Sequence, residues 1–224
     1  MKTPAIIVNF KTYEAGTGPR ALEVAKICDE LAQETGISIA VAVQATDIRM
    51  IADAVSIPVL AQHADGVVYG SNTGHIMPEA LKQAGAYGTL LNHSEDQYEK
   101  DALKSAVEEC KKEELFTIIC APTAEVSAEY AAFMPDMIAV EPPELIGTGV
   151  SVSTTQPELV TNTVTAVHSV VSDMTVLCGA GVVTTEDVSK AIELGAKGVL
   201  LASGVLKADN PREVMLDLIK GVKK

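Results

Sequence analysis

Eight short runs rich in Ala, Val, Ile and Leu, spread along the whole chain, constrain this sequence more than any other feature. They fall at residues 5–8, 37–43, 58–62, 88–91, 116–120, 137–140, 175–178 and 198–201. Such continuous apolar runs read as strands buried on both faces. Between them lie segments of helical periodicity. At 19–35, Leu22, Ala25, Cys28 and Leu31 recur on one face ahead of a stop at Gly36. Further helices are expected at 47–54, in a short segment closed by Gly85, and at 96–113, 122–132 and 156–171. Another runs from Thr184, with Asp187 completing a capping box, to Gly195, and the last starts at Asn210-Pro211. The 224 residues divide into eight units of 224/8 = 28, room for one strand, one helix and two short loops. Strict alternation implies a parallel sheet, and eight right-handed crossovers close it. The expected fold is α/β, an eight-stranded parallel (β/α)8 barrel, as a single domain over residues 1–224. A doubly wound open sheet is the alternative, but no G-x-G-x-x-G follows the first run.

Aromatic residues make up only 4% of the chain and there is no Trp, so the core must be aliphatic. The net charge of −13 argues against nucleic acid and anionic membrane surfaces as partners. It also means that an anionic substrate would need a local positive site within a repelling whole. Cys28, Cys110, Cys120 and Cys178 are scattered without a CxxC and read as buried thiols in a reducing, cytoplasmic setting. No basic leader or apolar run of membrane-spanning length is visible, so neither a signal peptide nor a membrane span is expected. No pair of histidines has metal-ligand spacing, and no metal is expected.

In a barrel of this kind the site lies at the carboxyl ends of the strands. Residues 137–153, MIAVEPPELIGTGVSVS, put a carboxylate there. Glu141 directly follows an apolar run and precedes Pro142-Pro143, then Gly147-Thr148-Gly149. The prolines fix φ, and the glycines permit conformations closed to other residues. The stretch reads as an acid or base with a hinged lid, residues 142–150, attached. Taken alone, it reads more readily as a surface loop with a solvated glutamate. Asn9 and Lys11 follow the first run and His93 the fourth; turns of small residues, 179–182 and 202–204, follow the seventh and eighth. Those turns offer backbone N–H groups to an anion. His93 alone reads more readily as a histidine satisfied locally at a helix start. Glu95 and Glu144 are rival bases, but Glu141 has the better position. His63 and His75, in the long third loop at 63–76, read as structural or interfacial, and His168 as helical and exposed.

Together, Asn9-Phe10-Lys11, Asn92-His93-Ser94-Glu95, Glu141-Pro142 with Ile146-Gly147-Thr148-Gly149, and Ala202-Ser203-Gly204 resemble the triosephosphate isomerase family. The short length and the Glu-Pro-Pro-Glu-Leu-Ile lid are similar to its compact archaeal form. The resemblance implies interconversion of dihydroxyacetone phosphate and D-glyceraldehyde 3-phosphate through an enediol(ate), in glycolysis and gluconeogenesis, without a cofactor. It implies Glu141 as base, His93 as neutral electrophile and proton shuttle, and Lys11 as stabiliser of negative charge. Asn9 would orient Lys11 and donate to the substrate. Ile146, Gly181, Ala202 and Ser203 would hold the phosphate through backbone N–H groups, Glu95 would anchor Lys11 or the fourth loop, and Thr73 would brace Asn9 and Lys11 in a neighbouring subunit. A homo-oligomer, dimer or tetramer, is implied, with contacts through residues 66–76. The common family form has Trp where Glu144 stands, and Tyr and Ser hydroxyls where Cys178 and Gly181 stand. Another phosphate-binding barrel would need a metal-binding His/Asp set or a Schiff-base lysine. A sugar-phosphate sensor would be expected to lack Glu141 or His93.

Overall fold

The structure is a computed structural model that describes residues 1–223. Among these, eight strands are β1 (Ala5–Asn9), β2 (Ser38–Val43), β3 (Val59–Ala61), β4 (Gly88–Leu91), β5 (Phe116–Ala121), β6 (Met137–Val140), β7 (Thr175–Cys178) and β8 (Gly198–Leu201). All pair in parallel and in sequence order, and β8 returns to β1, so the sheet is a closed barrel. The helices are α1 (Gly18–Thr35), α2 (Ile48–Ala52), α3 (Pro78–Gln83), α4 (Lys100–Lys112), α5 (Ala124–Ala131), α6 (Val152–Thr155), α7 (Pro157–Val170), α8 (Thr185–Glu193), α9 (Ser203–Leu206) and α10 (Pro211–Val222).

Side chains alternate across each strand and so divide the core in two. Along β1, Ile7 points into the barrel with Leu60, Leu90, Ile118, Leu177 and Leu200. Ile6 and Val8 face outward and pack with Leu31, Val107 and Leu218 of the helices. Both layers are chiefly aliphatic, with Phe10 the one fully buried aromatic among the described residues. No helix among the described residues is long and apolar enough to cross a membrane.

One helix start differs from the sequence expectation, and one short helix is additional to it. The helix expected from residue 96 begins at Lys100. Tyr98 is drawn away: its N–H donates to Asn92 Oδ1 (3.0 Å), and its hydroxyl donates to the Ala64 carbonyl (2.8 Å). The helix expected at 156–171 is α7, and a four-residue helix that was not expected, α6, precedes it. Pro157 opens α7 and keeps Gln156 (φ −134°, ψ 56°) out of helical geometry.

The β8–β1 seam depends on one missing methyl group. Gly198 lies opposite Ala5 at φ +148°, and a Cβ there would collide with the Ala5 carbonyl. Gly198→Ala is expected to cost about 2 kcal/mol, within the usual range for overpacking. Urea unfolding monitored by circular dichroism reads this directly, and an unchanged midpoint would contradict it.

Candidate active site

The carboxyl ends of the strands bring the residues singled out from sequence into one cavity. It is lined by Asn9, Lys11, Tyr13, His93, Glu141, Ile146, Gly147, the turn at 180–183 and residues 200–204. A larger open groove at the other end, lined by Lys82, Tyr87, Lys111 and Phe116, contains no comparable acid–base pair.

Lys11 follows β1 in the left-handed region (φ +48°), a costly conformation for a residue with a side chain. Two neighbours hold it. Its N–H donates to Asn9 Oδ1 (3.0 Å), and its carbonyl accepts from Gln62 Nε2 (3.0 Å). Gln62 Nε2 also reaches Asn9 Oδ1 (3.3 Å) and the Ala42 carbonyl (3.1 Å), tying three strand ends together. The Lys11 ammonium reaches Glu95 Oε1 at 2.7 Å. The sequence alone does not single out Gln62. Its one visible signal is its place at the end of the third apolar run.

His93 is buried after β4. Its Nδ1 accepts the Glu95 backbone N–H at 3.2 Å, which leaves the ring proton on Nε2. A turn amide therefore sets the tautomer, not the start of a helix around 94–95, because α4 begins only at Lys100. The Nε2 edge faces Glu141 Oε2 at 3.8 Å. Asn92 before it is also left-handed (φ +59°), with its side-chain amide donating to the Cys120 carbonyl (3.0 Å).

Glu141 stands directly after β6, its N–H bonded to the Ala121 carbonyl (2.9 Å). Its carboxyl is buried, and Oε2 has no hydrogen-bond partner among the described residues. Burial pushes its pKa above the ordinary carboxyl value, and nearby His93, Cys120 and Lys11 offset that only in part. A Cβ on Gly179 would stand 2.8 Å from Glu141 Oε1, so a glycine is needed to make room for the carboxylate. All four cysteines are buried and unpaired. Burial raises Cys28, Cys110 and Cys178 to about 12, and Cys120 well above its ordinary value, so none is an activated nucleophile.

Around this acid–base pair lie the two turns and the lid. Gly181 (φ +73°), Ser203 and Gly204 have backbone N–H groups without a partner among the described residues. Those of Val183 and Thr184 are both taken by Asp187 Oδ2 (3.0 and 2.9 Å). The lid is a self-bonded unit. Leu145 and Ile146 donate to the carbonyls of Pro142 (3.1 Å) and Pro143 (3.2 Å), and the Thr148 hydroxyl donates to the Leu145 carbonyl (2.9 Å). The Ile146 amide expected to hold phosphate is thus engaged within the lid in this conformation. Beyond the lid, the Val152 N–H donates to the Ala180 carbonyl (3.2 Å), and a Cβ on Gly181 would strike the Val150 carbonyl.

Other residues lie apart from the chemistry. Glu144 is exposed on the lid. Thr73 is exposed in the third loop and does not line the cavity. His63 and His75 both contact Asp65 (3.3 and 3.0 Å), and His63 stacks on Tyr98, which braces that loop. His168 is exposed in α7, bonded to the Met174 carbonyl (3.0 Å). Among the described residues, no three His, Cys, Asp or Glu side chains are grouped to hold a metal ion.

A closed (β/α)8 barrel with a buried carboxylate facing an imidazole N–H at its carboxyl end defines an acid–base barrel enzyme. More narrowly, the chain belongs to the triosephosphate isomerase family, whose sequence model, described as "Triosephosphate isomerase", matches residues 4–222. It is 51% identical to the triosephosphate isomerase of Methanocaldococcus jannaschii, over 96% of this chain and 98% of that one. It is 49% identical to that of Methanothermobacter thermautotrophicus, over 98% and 96%. Its fold matches the crystal structure of triosephosphate isomerase from Bartonella henselae with a TM-score of 0.74 at 23% identity, covering 95% and 97% of the two chains.

The raised pKa of Glu141 has a consequence for stability. Its folded form holds the proton more tightly than its unfolded form. The associated stabilisation is present below the ordinary carboxyl value and lost as pH rises through the raised folded value. Glu141→Gln, which cannot ionise, is therefore expected to melt higher than the parent chain at roughly pH 8, with the gap narrowing toward about pH 4. Thermal unfolding across pH measures this; identical melting at both ends would refute it.

Proposed function

We propose that the chain interconverts dihydroxyacetone phosphate and D-glyceraldehyde 3-phosphate through an enediol(ate), with Glu141 and His93 as the acid–base pair. The observation that carries this reading is the buried, unpartnered Glu141 Oε2 lying 3.8 Å from His93 Nε2. Glu141 removes a proton from the carbon beside the carbonyl, and the developing oxyanion takes up the negative charge. His93 presents its Nε2 proton to that oxygen and relays a proton between the two oxygens. Glu141 then returns its proton to the neighbouring carbon. Lys11, held by Asn9 and Gln62, offsets the charge of the intermediate, and Asn9 has its amide N–H₂ available to a substrate oxygen. Backbone amides of Gly181 and Ser203, with the Ala202 turn, receive the phosphate. Ile146 joins them once its bond to Pro143 is released. No cofactor or metal is assigned a step. A coupled isomerase assay tests the reading. Glu141→Gln should lose turnover by orders of magnitude and keep affinity for phosphate-bearing ligands; near-normal turnover would move the base elsewhere, with Glu144 the first suspect.

The protein acts in the cytoplasm as one barrel domain assembled into a homo-oligomer. Residues 66–76 carry exposed Val68 and Tyr69, and the family resemblance puts Thr73 against Asn9 and Lys11 of a neighbouring copy. Subunit contacts then complete the positioning of Lys11. Sedimentation at assay concentration is expected to give a dimer or tetramer, and a fully active monomer would exclude this assembly.

The lid protects the intermediate as well as gripping the substrate. An enediolate beside a phosphate can eliminate it, and closure excludes water and holds the phosphate in a geometry unsuited to that loss. Deleting residues 146–149 should slow isomerisation and release methylglyoxal and inorganic phosphate in a measurable fraction of turnovers. Slow turnover with clean product would leave the lid only a binding role.

A further inference from the structure

We propose that Lys207 is a steering residue, an un-neutralised ammonium at the rim of the cavity that draws the substrate's phosphate toward the turn after β8. The proposal rests on the isomerase reading above, and concerns capture of substrate, not the proton transfers.

The chain must attract a dianion with a net charge of −13. Long-range repulsion of that sign slows encounter unless the mouth of the site carries an opposing local field. Lys11 is the only cation among the residues lining the cavity, and Glu95 lies 2.7 Å from its ammonium. Glu141 adds a further negative charge inside. The cavity wall alone therefore leaves the charge problem unsolved.

Lys207 lies one helical turn beyond Ser203, its N–H bonded to the Ser203 carbonyl (3.0 Å), and Ser203 and Gly204 line the cavity. Its ammonium stands 4.9 Å from the centre of the Tyr13 ring, and Tyr13 lines the same cavity from the loop after β1. Among the described residues, no carboxylate lies within 4 Å of that ammonium and no side-chain hydrogen bond engages it. Arg20 of α1, by contrast, is paired with Glu14. The choice of partner matters. A carboxylate would fix the lysine and cancel its charge, whereas an aromatic face fixes it through the ring quadrupole and leaves the full charge in place. Exposed and within about a Debye length of the mouth, such a charge acts on encounter and is screened by salt.

The test uses the full chain with Lys207→Gln, Lys207→Glu and Lys207→Arg. For each, kcat and kcat/KM for glyceraldehyde 3-phosphate are measured from roughly 10 to 300 mM ionic strength. Lys207→Gln is expected to lower kcat/KM roughly fivefold at the lowest salt, with kcat within about twofold and the deficit closing at high salt. Lys207→Glu should open a wider gap of the same kind, and Lys207→Arg should keep the parental salt slope. A deficit unchanged by salt, a loss confined to kcat, or parental behaviour of both Gln and Glu variants would overturn the proposal, the first marking a merely structural clip between loops. An inactive parent chain would overturn the isomerase reading itself; an active parent with a salt-blind Gln variant overturns only the role of Lys207.

Discussion

Hydrogen bonding of β8 back onto β1 removes every free strand edge, and with it the freedom of any one strand to shift. A parallel ladder closed on itself forces all eight carboxyl ends to one rim. Residues nearly 200 positions apart, such as Asn9 and Ser203, thereby face one cavity. The two aliphatic layers on either side of the sheet hold that ring rigid, so short loops at the rim can carry conformations that would not persist on a softer frame. The left-handed backbones of Lys11 and Asn92 are two such conformations.

The site itself is organised by a cost. A carboxylate taken out of water and left with one oxygen unpaired is unfavourable, and the fold supplies it anyway. The neighbours reduce the cost without removing it: a thiol, an imidazole edge and a more distant ammonium. Had Glu141 been given an arginine, it would be comfortable and a poor base. Lys11 shows the opposite arrangement, a charge paired with a carboxylate, Glu95, that lies toward solvent.

Much of this was legible in the sequence because strands covered on both faces must be apolar throughout, and eight such runs leave few topologies. Asn9, Lys11, His93 and Glu141 could be picked out because each lies within three residues of the end of one of those runs. Local composition misled where tertiary contacts outweighed it. The acidic stretch at 96–99 looks like a helix front, yet Tyr98 gains more from Ala64 and His63 than it would from a further turn of α4. Pro157 marks the start of α7, but nothing in the residues before it marks the short helix α6. Gln62 has no distinguishing pattern, since its importance lies in reaching three groups contributed by two other strands. The engagement of the Ile146 amide is a property of one lid conformation and leaves no mark in the sequence at all.

The joint between the lid's exit and the turn after β7 is made by main chain on both sides: the Val152 N–H on the Ala180 carbonyl, and Gly181 against the Val150 carbonyl. A catch of that kind has no side chain to lose. Most point changes in the lid would leave its atoms in place, so the genetic fragility is concentrated in a single codon. Every base change that replaces Gly181 adds a Cβ where there is no room for one. The segment around it can drift, while that one position is held fixed by the absence of an atom.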